Sequence, residues 1–154
     1  MATMTSKQIT SLTLCLEHRK QMLADIEARQ PEEACGLIAG VYGRAVEVVP
    51  ITNEYHSKVR YRMVPEEQLC AFNRFDLQGW KLLAIYHSHP EGPDFPSAKD
   101  IAEATYPGVV YLIWFPSQGE WDCRGFLIHD SKVKEVHVSF TSSDVQTDSD
   151  HNTG

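Results

Sequence analysis

Lys81-Leu82-Leu83-Ala84-Ile85-Tyr86-His87-Ser88-His89 is an apolar run that closes on two histidines, and after seven further residues the chain continues Ser97-Ala98-Lys99-Asp100. The stretch from Leu82 to Tyr86 predicts a buried central strand with His87 at its carboxyl end. Side chains at i and i+2 leave an extended chain on one face, so His87 and His89 project together. Pro90, Gly92, Pro93 and Pro96 stiffen the following loop, and Ser97 opens a short helix running to about Thr105. Asp100 on that helix can supply a third ligand. Three protein ligands leave a tetrahedral zinc one position for water, which the metal makes acidic enough to ionise near pH 7. The spacing reads as a hydrolytic Zn2+ centre.

Each piece also has an ordinary use. A histidine at a strand end is commonly just hydrogen-bonded, and Ser97-x-x-Asp100 is a helix-capping pattern favoured by the helix dipole. Capping does not exclude ligation, because one turn can seat the serine and aim the carboxylate back at the strand. The joint pattern His-x-His-x7-Ser-x2-Asp arises by chance at roughly one in a million start positions. A hydrolytic centre also needs a base, and Glu32 or Glu33, just before the apolar run Cys35 to Val41, can reach inward. Adjacent glutamates are usually solvated. Period-two alternation groups Glu33 with Cys35 and Leu37 and so turns Glu33 towards the core.

Outward from this centre the elements follow hydrophobic period and punctuation. A short strand at Ile9 to Leu14 leads into a helix ended near Arg29 by Pro31, and Cys35 to Val41 with Ala45 to Ile51 reads as a hairpin. After an irregular polar stretch from Asn53 to Arg62, Pro65 and Gly79 bracket a helix carrying Leu69, Phe72 and Phe75 inward. Strands at Val109 to Phe115, Trp121 to His129 and Val133 to Phe140 complete one domain, residues 1–140, with no internal repeat. The Ser/Thr/Asp-rich stretch 141–154 is expected to be disordered.

Composition narrows the function classes. A length of 154 residues suits a single core, and a formal net charge of −7 without a Lys/Arg cluster argues against a nucleic-acid partner. No stretch is long and apolar enough for a membrane span, and Met1 to Thr10 is polar, so a soluble cytoplasmic protein is expected. The four cysteines, Cys15, Cys35, Cys70 and Cys123, are dispersed, which predicts mostly buried small hydrophobes rather than a disulfide framework. Cys35 stands nearest the proposed centre.

At these residues the chain resembles the JAMM, or MPN-plus, zinc metallopeptidases, in which an upstream glutamate precedes His-Ser/Thr-His-x7-Ser-x2-Asp. The resemblance extends through Pro31-x-Glu33-x-Cys35-Gly36, Asn53, Tyr61-Arg62-Met63 and Ala84 to Pro90, and so runs from about Ile9 to Phe140. It implies His87, His89 and Asp100 as zinc ligands, Glu33 as general acid/base, and Ser97 as hydrogen-bond donor to a tetrahedral oxyanion. It also implies an α+β fold, a curved and mostly antiparallel sheet flanked by helices in a cytidine-deaminase-like architecture. The implied reaction is hydrolysis of a peptide, isopeptide or similar amide bond at the carboxyl end of a ubiquitin-like or sulfur-carrier protein. The short connection Pro116 to Glu120 resembles the compact prokaryotic type, without the insertions of larger deubiquitinases. The rival readings are a noncatalytic scaffold of the same fold, which typically lacks the full ligand set, and another zinc amidohydrolase. A deaminase combination of His-x-Glu with Pro-Cys-x-x-Cys is absent. Oligomeric state is left open.

Overall fold

The computed structural model describes residues 9–142. The expectation of a disordered tail at 141–154 lies outside them from residue 143 on, and it is corrected at Thr141, which is the last residue of the final strand. Within them the elements run β1 (Ser11–Cys15), α1 (Leu16–Arg29), β2 (Cys35–Val41), β3 (Arg44–Ile51), α2 (Pro65–Gln78), β4 (Lys81–Ser88), α3 (Ala98–Glu103), β5 (Val110–Ser117), β6 (Glu120–His129) and β7 (Lys132–Thr141). The strands form one seven-stranded sheet in the order β1-β7-β6-β5-β4-β2-β3. Four pairings are antiparallel, while β1 with β7 and β4 with β5 are parallel. The class is α+β with a mixed sheet, and the sheet curls until its edge strands β1 and β3 come within contact range.

Two apolar layers hold this sheet. Met22 and Ile26 of α1 pack with Leu12, Tyr86, Leu112 and Trp114 on one face, and Ala71 and Phe75 of α2 pack with Leu37, Ile85, Ile113 and Phe126 on the other. Past the register shift against β2, residues of β4 from Ala84 onward alternate between the layers, so Ile85 and His87 share the α2 side while Tyr86 faces α1. The interior position of β4 makes it the rigid mount for the histidines.

Two expectations are corrected. Leu69 is 61% exposed, because the buried face of α2 is set by Ala71 and Phe75 and Leu69 stands about 200° around the helix from Ala71. Of the cysteines only Cys35 is buried, Cys15 and Cys123 being half-buried and Cys70 exposed on α2, and all four are free thiols. No helix among the described residues is long and apolar enough to cross a membrane.

Gly36 has a specific steric role. It pairs with Tyr86 across β2 and β4, and a Cβ there would overlap the Tyr86 ring. The ring lies over the glycine so that its hydroxyl donates to Asp25 Oδ2 at 2.8 Å, and Asp25 in turn pairs with Arg29 at 3.2 Å. Burial, then Asp25, raises the Tyr86 phenol well above its ordinary range, which keeps it a proton donor. Gly36→Ala is expected to cost about 1–3 kcal/mol by displacing that ring. A urea melt checks this as a lower midpoint at unchanged slope.

Candidate metal centre

The carboxyl end of β4, the loop after it and the start of α3 converge on one point. His87 is the penultimate residue of β4 and is fully buried, and His89 follows one residue past the strand with its N–H donated to the Trp114 carbonyl at 2.8 Å. Their Nε2 atoms face each other at 3.0 Å, and Asp100 Oδ2 lies 3.2 Å from the first and 3.1 Å from the second. The helix start explains how Asp100 gets there. Asp100 N–H donates to Ser97 Oγ at 3.0 Å and Ser97 N–H donates to Asp100 Oδ2 at 2.9 Å, a reciprocal capping box. The cap and the inward aim use the same carboxylate oxygen. Ser97, an acceptor in this box, keeps its own hydroxyl proton for a further partner.

The donor set fits a zinc ion. Bonds of about 2.0–2.1 Å in a tetrahedral site separate ligand atoms by about 3.3 Å, within a few tenths of an ångström of this trio. Burial lowers the His87 pKa despite Asp100, so its imidazole is neutral. For His89, burial also lowers the pKa, but hydrogen bonds with Asp100 and the Pro93 carbonyl outweigh it and leave it raised. Burial pushes Asp100 up, yet its hydrogen bonds with the two imidazoles and the Ser97 amide hold it well below the carboxylate range. His89 Nδ1–H donates to the Pro93 carbonyl at 2.7 Å, which presents Nε2 towards Asp100 in the arrangement common to metal-ligating histidines.

Glu33 enters from the segment that leads into β2, the neighbour of β4 in the sheet. It is 3% exposed, its Oε1 is buried without a protein partner, and its carboxylate lies with the His87 and His89 nitrogens in a group spanning 4.8 Å. Desolvation raises its pKa from 4.5 to about 8, His89 lowering it and Asp100 raising it further. Glu32, by contrast, is directed outward to His56 at 3.2 Å. Of the two adjacent glutamates, the buried one is Glu33, the one that alternates with Cys35 and Leu37.

The supports of this centre have no role legible in the sequence, although the family resemblance runs through Asn53 and Tyr61. Asn53 is buried, and its Nδ2 donates to the carbonyls of Glu33, Ser57 and Arg60 while its Oδ1 accepts from the amides of Tyr55 and Arg62. Glu33 N–H donates to Ser57 O at 2.8 Å, and Ser88 Oγ, between the two histidines, accepts from Ala34 N–H at 2.8 Å. Both sides of the Glu33 backbone are thus tied down. Tyr61 stacks on the His87 ring at 4.6 Å and 28°, holding the imidazole whose Nδ1 has no protein partner. The one local signal was Asn53 at the head of a polar segment, where its Oδ1 makes an Asx turn to Tyr55. Cys35 takes no place in the cluster: its thiol donates to Ile51 O, and burial pushes it up to about 12.

Residues 16–126 match the family described as prokaryotic homologs of the JAB domain. The chain is 38% identical over 89 residues to a desampylase of Haloferax volcanii, covering 56% of this chain and 64% of that protein, so it spans less than two thirds of that relative. It is 32% identical over 121 residues to a CysO-cysteine peptidase of Mycobacterium tuberculosis, covering 77% of this chain and 83% of the relative. A solution structure of a protein from Desulfitobacterium hafniense superposes with a TM-score of 0.77 at 33% identity, over 86% of this chain and 94% of the other.

Proposed function

This chain belongs to the prokaryotic homologs of the JAB domain, and from that premise we propose that it is a zinc-dependent peptidase. It hydrolyses a peptide, isopeptide or similar amide bond at the carboxyl end of a ubiquitin-like or sulfur-carrier protein. The peptidase names of its relatives support the reaction class, and its four free thiols suit a reducing, cytoplasmic setting. The observation that carries the reading is the buried, unpartnered Glu33 Oε1 beside two imidazoles whose third neighbour is an ionised aspartate.

His87, His89 and Asp100 would hold the ion. When bound, zinc supplies Lewis-acid polarisation of the scissile carbonyl and lowers the pKa of water. Glu33 takes one proton from the attacking water and delivers it to the departing amine, so the carboxylate ends the cycle as it began. Desolvation that raises its pKa makes it a stronger base than a solvated glutamate. The Ser97 hydroxyl donates to the oxygen of the former carbonyl as negative charge gathers there. Asn53 and Ser88 keep the Glu33 backbone fixed while the proton moves.

The test is a carrier protein whose carboxyl terminus is joined to lysine, cysteine or a short peptide, incubated with the zinc-loaded chain and read by intact mass. Release of the free carrier, stopped by chelator and restored by added zinc, is the expected result. A zinc-loaded chain that cleaves none of these conjugates would overturn the peptidase reading in favour of a scaffold.

A further inference from the structure

Strand register puts an unassigned arginine on the face of the metal ligands. His87 pairs with Ile113 across β4 and β5, and Ile113 pairs with Arg124 across β5 and β6. Directly opposed residues on neighbouring strands share a face, so Arg124 stands in the row of His87, two strands away. Its guanidinium lies over the Phe126 ring at 5.2 Å and is held from β7 by both carboxylate oxygens of Glu135, at 2.9 and 2.7 Å. The remaining nitrogen, Nη1, donates to the Asp94 carboxylate at 2.9 Å and to the Asp94 carbonyl at 3.3 Å. Phe95 sets its ring edge-on to Phe126 at 5.3 Å. Asp94 and Phe95 are therefore both anchored to β6, and the residue before them, Pro93, presents the carbonyl that takes the His89 Nδ1–H.

We propose that Arg124 is a positioning residue of the metal centre, fixing the Pro93 carbonyl through Asp94 and thereby the orientation of the His89 imidazole. The inference rests on the zinc reading above. Only a planar fork can hold Glu135 with two nitrogens and still reach Asp94, so lysine cannot replace it here. Exposed ion pairs add little to global stability. The effect of this clamp therefore belongs in the centre and not in the melting temperature.

Arg124→Ala, Arg124→Lys and Asp94→Ala, made in the full chain, test this by zinc affinity in chelator competition and by proton NMR of the zinc-free protein. Loss of a direct outer partner of a ligand typically costs about 10–100-fold in metal affinity. This clamp acts one residue further out, and about a three- to tenfold weakening is expected in all three variants at a nearly unchanged melting temperature. The His89 Nδ1–H resonance should be protected from solvent exchange in the wild type and broadened or lost in the variants. Variants with wild-type affinity and a wild-type His89 resonance would overturn the proposal. Asp94→Ala leaves the Arg124–Glu135 pair intact, so it decides the matter even where Arg124→Ala disturbs folding. A wild-type chain that binds no zinc would sink the zinc reading, whereas the His89 resonance would still decide the clamp.

Discussion

Glu33→Gln is expected to retain zinc while turnover falls by about 10²–10⁴-fold, the range typical of losing a positioned acid/base. Glutamine matches the volume and one oxygen of the side chain but cannot shuttle a proton. Elemental analysis and the conjugate assay separate the two properties, and a variant turning over at the wild-type rate would remove Glu33 from this role. The same substitution has a second, opposite effect in zinc-free protein. Because the folded-state pKa of Glu33 is raised from 4.5 to about 8, the folded chain binds the proton more tightly than the unfolded chain. Zinc-free wild type is therefore expected to lose, as pH rises from about 4.5 to 8, on the order of 4 kcal/mol of stability that Glu33→Gln does not lose, the contributions of His87 and His89 in that window being common to both proteins. Urea midpoints in chelator at pH 5 and pH 8 would show it.

His89→Ala removes one of the three proposed ligands and is expected to abolish zinc retention and, with it, activity. It leaves two donors, His87 and Asp100, where three converge within 3.2 Å. The affinity loss should exceed the roughly 10–100-fold that follows removal of an outer partner. Dialysed protein should then hold almost no zinc by elemental analysis. A variant still carrying one zinc per chain would show that the ligand set is wrong. Glu33→Gln and His89→Ala together separate proton transfer from metal binding, since the first keeps the ion and the second does not.

The order of the elements was legible because hydrophobic period and punctuation are local. Cys35–Val41 was read with the bounds the structure has, and Pro65 with Gly79 marked both ends of α2. Strand pairing was not legible in the residues themselves. β1 lies parallel to β7, joining Thr13 to Ser139 across 126 residues, and nothing in either segment names its partner. The same division runs through the centre. His87, His89, Asp100 and Glu33 declare themselves by chemistry and spacing. Asn53, Tyr61 and Pro93 act through backbone carbonyls and ring stacking, roles that many residue types at many positions can fill, and the pairs of Arg124 with Asp94 and Glu135 join a loop and a strand whose meeting no local pattern announces. Leu69 shows the limit of periodicity in a helix with more apolar residues than its buried face holds.

The six-residue helix α3 has no fully buried side chain, only Ile101 and the adjoining Ala104 half-packed on the core, and its first turn is fastened by Ser97 and Asp100. A segment so lightly packed opens locally at far smaller cost than the sheet beneath it. An ion held by Asp100 would thus secure a stretch of chain as well as the proposed reaction site. Occupancy becomes a matter of chain lifetime: amide exchange and protease nicking between Pro96 and Thr105 would record whether each molecule is loaded, long before the sheet itself begins to melt.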